Sequence, residues 1–172
     1  AAESANDFTV LPAPTITGFT PTSGSPGTSV TITGTNLTGA SAVKFNGVNA
    51  ASFTVNSATQ ITAVVSATAT TGPISVTTPG GTATSGGTFT VTAAAPTITS
   101  FSPTSGPVGT SVIINGTAFT GATSVKFNGV SQPTFTINSA TKITAAVPSG
   151  ATTGKISVTT PGGTATSAAD FT

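Results

Sequence analysis

Apolar and polar residues alternate along most of the chain. In Ser29–Gly34 the apolar Val30 and Ile32 are separated by serine or threonine, and this period of two predicts a strand with one buried face. The same alternation predicts strands at Thr15–Phe19, Val43–Phe45, Phe53–Val55, Ile61–Val65 and Ile74–Val76, and a last strand that ends at Phe89. No segment shows the 3.6-residue period of an amphipathic helix. The pattern therefore predicts an all-β protein.

Two Asn-Gly pairs predict tight hairpin turns. Asn46-Gly47 directly follows the apolar pair Val43 and Phe45, and Asn128-Gly129 stands at the corresponding place later in the chain. Both residue types tolerate the positive φ that a two-residue hairpin loop requires. We therefore interpret all four residues as structural turn residues rather than as ligands.

The chain repeats itself with a period of 82 residues. Residues 14–89 align with residues 96–171 without a gap, at 52 identical positions of 76. The period is too long for a solenoid unit and long enough for a small domain. Short strands with turns every 8–12 residues are typical of an immunoglobulin-like β-sandwich. We predict two tandem immunoglobulin-like β-sandwiches of about seven strands each, with the phenylalanines in their cores.

The repeat also predicts the domain boundaries. The first domain is expected at 14–91 and the second at 96–172, with linkers at 11–13 and 92–95 that each run into a proline. Residues 1–10 resemble the end of each repeat, so we expect them to be the last strand of a preceding repeat. The chain begins with neither an initiator Met nor a signal peptide, which we interpret as a piece of a longer or processed protein.

Composition argues against catalysis and against a metal or cofactor site. The chain has no Cys, His, Trp, Tyr or Met, and only 4% of its residues are charged. Serine and threonine therefore lack the usual activating base, and zinc lacks its preferred ligands. The three acidic residues, Glu3, Asp7 and Asp170, all lie near the ends of the chain. We expect no enzyme, no cofactor and no metal.

Charge and hydropathy also limit the partners. Four lysines and no arginine cannot form the basic stripe that nucleic acids require, and no apolar run reaches the roughly 18–20 residues that span a bilayer. Carbohydrate surfaces usually present an exposed Trp or Tyr, and this chain has neither. Weak binding to polysaccharide or to a surface protein is left to polar loop residues, namely Asn49, Asn56, Gln60, Gln132 and Asn138.

Two further motifs carry a structural and a chemical interpretation. Alternation sends Lys44 and Lys126 outward, so we interpret them as solvated strand residues rather than as partners in a Lys–Asn isopeptide bond. Asn36-Leu37-Thr38 and Asn115-Gly116-Thr117 match the N-glycosylation sequon. Such triplets are common by chance.

Five motifs occur in the same order in both repeats and carry a resemblance to a known family. In the first repeat they lie at Pro14–Gly24, Gly27–Val30, Gly34–Ala40, Val43–Val48 and Thr77–Ala83. This order resembles the IPT/TIG domain. The resemblance implies an immunoglobulin-like sandwich of a kind found in bacterial cell-surface arrays, beside carbohydrate-active enzymes, in plexin-type receptors and in some transcription factors. The threonine-rich, nearly uncharged duplication is most similar to the bacterial surface arrays.

The expected function is that of a non-catalytic extracellular spacer or stalk from a longer array, whose partners are the neighbouring repeats of the same chain. A glycan- or protein-binding adhesin is the first alternative. The second is self-association of edge strands into a surface layer or fibre. The second repeat contains its own final strand, Thr164–Phe171, which argues against a groove that awaits a donor strand.

Overall fold

A computed structural model describes residues 10–172 of the chain. These residues divide into two compact units, with the boundary between Thr92 and Ala93. We refer to them as the first and the second repeat. The prediction that residues 1–10 form the last strand of a preceding repeat falls, except for Val10, outside the described residues.

The first repeat consists of two sheets. Its strands are β1 (Thr15–Thr20), β2 (Ser23–Gly24), β3 (Ser29–Thr35), β4 (Ala42–Phe45), β5 (Val48–Asn49), β6 (Ser52–Ser57), β7 (Gln60–Val64), β8 (Gly72–Thr78) and β9 (Gly81–Val91). One sheet has the order β1-β3-β7-β6 and the other the order β2-β9-β8-β4-β5. All neighbours are antiparallel except β2 and β9, which are parallel.

The second repeat, all of which the structure describes, has the same plan but no strand equivalent to β2. Its strands are β10 (Thr97–Ser102), β11 (Ser111–Thr117), β12 (Ser124–Phe127), β13 (Val130–Gln132), β14 (Phe135–Ser139), β15 (Lys142–Ala146), β16 (Gly154–Thr160) and β17 (Gly163–Phe171). The sheet orders are β10-β11-β15-β14 and β13-β12-β16-β17. No helix that could cross a membrane occurs between residues 10 and 172.

The structure confirms the predicted all-β sandwiches and adds detail to the strand count. The two-residue strand β2 is an addition to the strands predicted from the alternation, and it forms because Ser23 pairs with Thr90. The last strand of the first repeat continues to Val91, two residues past Phe89. Both differences arise from pairing between residues far apart in sequence, which a local pattern does not contain.

Each repeat closes around its own apolar core. Alternate residues of the central strands are fully buried, among them Val30 and Ile32 in the first repeat. Phe45 packs edge-on against Phe89 with ring centroids 5.1 Å apart, a geometry favoured by the aromatic quadrupole. The second repeat has its own separate core of the same type. The period of two in the sequence therefore reflects the burial of alternate side chains in the core, as predicted.

A bulge interrupts the last hairpin of each repeat, and a buried serine fills it. Between Ser75 and Pro73 the pairing of β8 with β9 shifts, so that Ser85 lies opposite no single partner. Its Oγ accepts a hydrogen bond from the Ile74 amide at 2.9 Å and donates one to the Gly87 carbonyl at 2.7 Å. Ser167 makes the same two bonds in the second repeat. The hydroxyl thus replaces the ladder bond that the bulge removes.

The outward faces are covered by hydroxyl groups. Across the four strands β1, β3, β7 and β6 the register places four threonines in one row, namely Thr20, Thr31, Thr62 and Thr54. The equivalent row of the second repeat is Ser102, Ile113, Thr144 and Thr136. Both rows are uncharged and offer hydroxyl and methyl groups, and in the second repeat Lys142 lies on the same face, two residues from Thr144.

Candidate functional site

The Asn-Gly turns are built as hairpin loops and make further contacts. Asn46 has φ 47° and Gly47 φ 82°, and Asn128 and Gly129 have closely similar values. The Asn46 side-chain amide donates to Thr70 Oγ1 at 2.9 Å, and its backbone amide donates to the Pro73 carbonyl at 2.8 Å. The Asn46 side chain therefore contacts the loop before β8, although the residue is exposed.

The polar residues predicted as ligand-facing in the first repeat lie at two separate places. Asn56 is near the end of β6 and Gln60 begins β7, where Gln60 pairs with Ser57. Asn49 is on the short edge strand β5 of the other sheet, opposite Lys44. It lines a shallow hollow with Ser41, Ala50 and Phe53 among others. The fold thus brings Asn56 and Gln60 together and leaves Asn49 apart from them.

The second repeat distributes its polar residues in the same way. Asn138 on β14 is equivalent to Asn56, whereas Gln132 ends the edge strand β13 of the other sheet. Asn138 Oδ1 accepts a hydrogen bond from Thr144 Oγ1 at 2.8 Å, and Asn56 Oδ1 accepts one from the Thr62 amide at 3.2 Å. Both asparagine oxygens are therefore used by the sheet to which they belong. Their role as ligand contacts stays a prediction.

The charged residues form one close pair in the described part of the chain. Lys155 Nζ lies 3.0 Å from Asp170 Oδ1, and it also donates to the Ala168 carbonyl. Both side chains are about half exposed. Pro73 and Thr88 stand at the equivalent positions of the first repeat. Sequence reasoning missed this pair, although opposite charges at two positions that are neutral in the other repeat were a usable signal.

The remaining lysines lie on strands. Lys44 and Lys126 are opposite Asn49 and Ser131 across the short edge hairpins, with Val43 and Phe45 buried on the other side of the strand. Among residues 10–172 no group of three or more His, Cys, Asp or Glu side chains comes together. Glu3 and Asp7 fall outside these residues.

Both sequon asparagines use their side-chain nitrogen within the fold. Asn36 Nδ2 donates to the Ala13 carbonyl at 2.9 Å, and Asn115 Nδ2 donates to Ser100 Oγ at 3.2 Å. Asn36 also has a positive φ of 55°, which asparagine tolerates better than most residues. The bond to Ala13 shows a role in holding the segment that leads into the first repeat, which the sequon interpretation did not include.

A shallow groove on the first repeat borders this leading segment. It is lined by Leu11 and Pro12 on one side and, on the other, by Asn36, Thr38, Ala58, Thr78, Pro79 and Gly80, which we call the segment seat. The carbonyl oxygen of Pro12 approaches Gly80 so closely that a Cβ at Gly80 would overlap it. Only glycine allows such an approach without displacement of the backbone.

The second repeat has the same seat with one replacement. Residues equivalent to five of the six walls are identical, namely Thr120, Ala140, Thr160, Pro161 and Gly162. The carbonyl of Ala94 approaches Gly162 as that of Pro12 approaches Gly80. Ala118 replaces Asn36 and keeps a positive φ of 54°. The second seat therefore retains the backbone contact and lacks the side-chain amide.

Comparison with known proteins identifies the family. The family model described as the IPT/TIG domain matches residues 14–91 and again residues 96–172. The chain belongs to the IPT/TIG family. IPT/TIG domains are non-catalytic binding or structural modules. No curated protein matches the chain.

Solved structures with similar folds include bacterial surface proteins. The surface glycan-binding protein PbSGBP-B from Prevotella bryantii is 22% identical, with a TM-score of 0.56, and covers 92% of this chain and 42% of its own. SGBP-B from a xyloglucan utilization locus of Bacteroides uniformis is 26% identical, with a TM-score of 0.45, and covers 93% and 49%. A protein crystallised with a xylogluco-oligosaccharide is 28% identical, with a TM-score of 0.48, and covers 93% and 40%.

The similarity to the Prevotella protein shows a shared fold and no more. The chain spans less than half the length of each of these three proteins. What they bind is a property of those longer proteins.

Proposed function

We propose that the two IPT/TIG domains are a non-catalytic extracellular spacer, a part of a longer array that holds another domain away from a cell surface. The observation that carries this proposal is the position of the two ends of each domain. The chain enters the first domain beside Gly80, where Pro12 is seated, and leaves it beside Gly24, where the Thr92 amide donates to the Gly24 carbonyl at 3.0 Å.

Strand β9 gives the distance between these ends. It begins at Gly81, next to the seat, and runs for 11 residues to Val91, next to the exit. At about 3.3 Å per residue this is roughly 30 Å. The second domain repeats the arrangement, since β17 follows Gly162 and the Thr172 amide donates to the Thr104 carbonyl at 3.1 Å. A domain whose ends lie at opposite poles adds its own length to a chain, as a spacer requires.

The surface chemistry supports the same function. The outward row Thr20, Thr31, Thr62 and Thr54 is neutral, and the whole sequence contains only four basic and three acidic residues. Such faces resist nonspecific pairing with charged polymers. The only ion pair described, between Lys155 and Asp170, lies within one hairpin of the second domain.

The test is affinity electrophoresis of the 172-residue chain in gels that contain soluble polysaccharides, next to a protein known not to bind them. A spacer migrates like the reference in every gel. Retardation in one gel that is abolished by Asn56→Ala and Gln60→Ala, or by Asn49→Ala alone, would replace the spacer with an adhesin. Sedimentation over a hundredfold range of concentration tests self-association, the second alternative to a spacer, because pairing of edge strands raises the apparent mass as the concentration increases.

A further inference from the structure

The segment seat binds an extended stretch of chain by its backbone. In the first domain the Pro12 carbonyl lies against Gly80, and the next carbonyl, that of Ala13, accepts the hydrogen bond from Asn36 Nδ2. Pro79 and Ala58 line the same groove as Leu11, which stays about half exposed. Proline restricts its own φ and keeps the residue before it extended. A segment such as Leu11-Pro12-Ala13 therefore loses less conformational entropy when it is held against the seat than a segment without proline would.

The order of the first domain extends to Thr92 at its other end. The Thr90 amide donates to the Thr22 carbonyl and the Thr92 amide to the Gly24 carbonyl, both at 3.0 Å. On the other side of the boundary, Ala94 is already in contact with Gly162 of the second domain. Ala93 is exposed and is the one residue between these two attached stretches.

We propose that the segment seat is a specific docking site for the connecting segment, so that each connection belongs to the domain that follows it and Ala93 is the single pivot between the two domains. This proposal concerns docking alone and is independent of whether the chain is a spacer or an adhesin. The occupant is an extended segment of the same chain with a small residue or proline at the position of Pro12 and Ala94. The partner groups are a glycine face and, where present, a side-chain amide.

The two seats differ in strength. The seat of the second domain lacks the amide of Asn36 because Ala118 stands there, and its occupant is Ala93-Ala94-Ala95 in place of Leu11-Pro12-Ala13. One hydrogen bond and the stiffness of proline are therefore absent. The segment before the second domain is held more weakly than the segment before the first.

The test measures backbone order by ¹⁵N relaxation in the full 172-residue chain. We expect order parameters close to the strand value of about 0.85 for Leu11 and Ala13, lower values for Ala94 and Ala95, and for Ala93 the lowest value of residues 92–95. Gly162→Ala should lower the order parameters of Ala94 and Ala95 toward about 0.6 without changing those of Leu11 and Ala13. Gly80→Ala should instead lower the order parameters of Leu11 and Ala13 and leave those of Ala94 and Ala95 unchanged.

Two further variants test the amide without introducing a clash. Asn36→Ala should lower the order of Ala13, and it is expected to fold because Ala118 already occupies the same backbone conformation in the second domain. Ala118→Asn should raise the order of Ala95. Gly86→Ala is the matched control, since no atom lies within 4 Å of the added Cβ and Ala168 is its equivalent. Docking would be refuted if Ala94 and Ala95 were as mobile as Ala93 in the unaltered chain, or if neither seat substitution changed its own segment.

Discussion

The side-chain amide of Asn46 donates a hydrogen bond to the hydroxyl of Thr70, 24 residues further along the chain, at 2.9 Å. Asn128 and Thr152 repeat this bond at 2.8 Å. Gly72 lies so close to Asn46 that a Cβ there would overlap its side chain. The loop before β8 is therefore held against the Asn46-Gly47 turn. The Asn-Gly pair forms a local turn and also makes a long-range contact.

Removal of this bond should destabilise the domain moderately. Thr70→Val keeps the shape of the side chain and removes the acceptor, and we expect a loss of about 1 kcal/mol in the free energy of unfolding. Asn46→Ala should cost about 1–2 kcal/mol more, because alanine at positive φ is strained. Urea denaturation gives the change in the free energy of unfolding for both variants when it is monitored by hydrogen exchange, which resolves the two domains. Equal losses for the two variants would show that the backbone conformation contributes nothing.

Ala118 is a position where substitution should stabilise the protein. Its φ of 54° is unfavourable for a residue with a Cβ and without a polar side chain. Ala118→Gly should relieve this strain and raise the stability of the second domain by up to about 1 kcal/mol, less the extra entropy of glycine in the unfolded chain. Asn36→Gly is the counterpart in the first domain and should be destabilising, since the bond to Ala13 is lost. A lower stability for Ala118→Gly would contradict the strained conformation.

The bulge serines Ser85 and Ser167 allow the same prediction to be tested once in each domain. Ser85→Ala leaves the Ile74 amide without its acceptor in a buried setting, and the expected cost is about 1–3 kcal/mol. Ser167→Ala should cost a similar amount in the second domain. Thermal unfolding of each single variant and of the double variant measures both, and the effects should add because the sites lie in separate cores. An effect within 0.5 kcal/mol at either site, roughly that of an exposed substitution, would mean that water serves the bulge equally well.

The ion pair of the second domain should contribute little. Lys155 and Asp170 are both about half exposed, and exposed pairs are typically worth about 0.2–1 kcal/mol and are screened by salt. Asp170→Asn should therefore lower the stability by no more than about 0.5–1 kcal/mol, and the difference should disappear in 1 M NaCl. A loss that persists at high salt would assign the effect to packing of the side chain and not to its charge.

The period of two and the Asn-Gly pairs contain most of what the sequence reveals about the fold. Val30 and Ile32 are buried as the alternation requires, because successive side chains of a strand point to opposite faces of the sheet and one face packs against the core. The 82-residue period predicts that both halves have the same plan, and the paired sheets show it. These signals are local or repetitive and can be read without knowledge of the tertiary structure.

The features that were not predicted depend on contacts between distant residues. The bond from Asn36 to Ala13 spans 23 residues, and the pairing of Ser23 with Thr90 joins the two ends of the repeat. Neither residue type is unusual for its local sequence. The overlap of Gly80 with the Pro12 carbonyl likewise becomes visible only when the turn and the leading segment lie side by side. The segment seat therefore could not be predicted from the sequence pattern.

The parallel pairing of β2 with β9 has a consequence for a domain under tension. The chain leading to Ser23 and Gly24 arrives from one pole, and the chain after Thr90 and Val91 leaves at the other. A pulling force applied through the two ends draws these neighbouring strands in opposite directions along their own axes. The hydrogen bonds of Thr22 and Gly24 with Thr90 and Thr92 are then loaded together in shear, and they resist as a group instead of separating one after another.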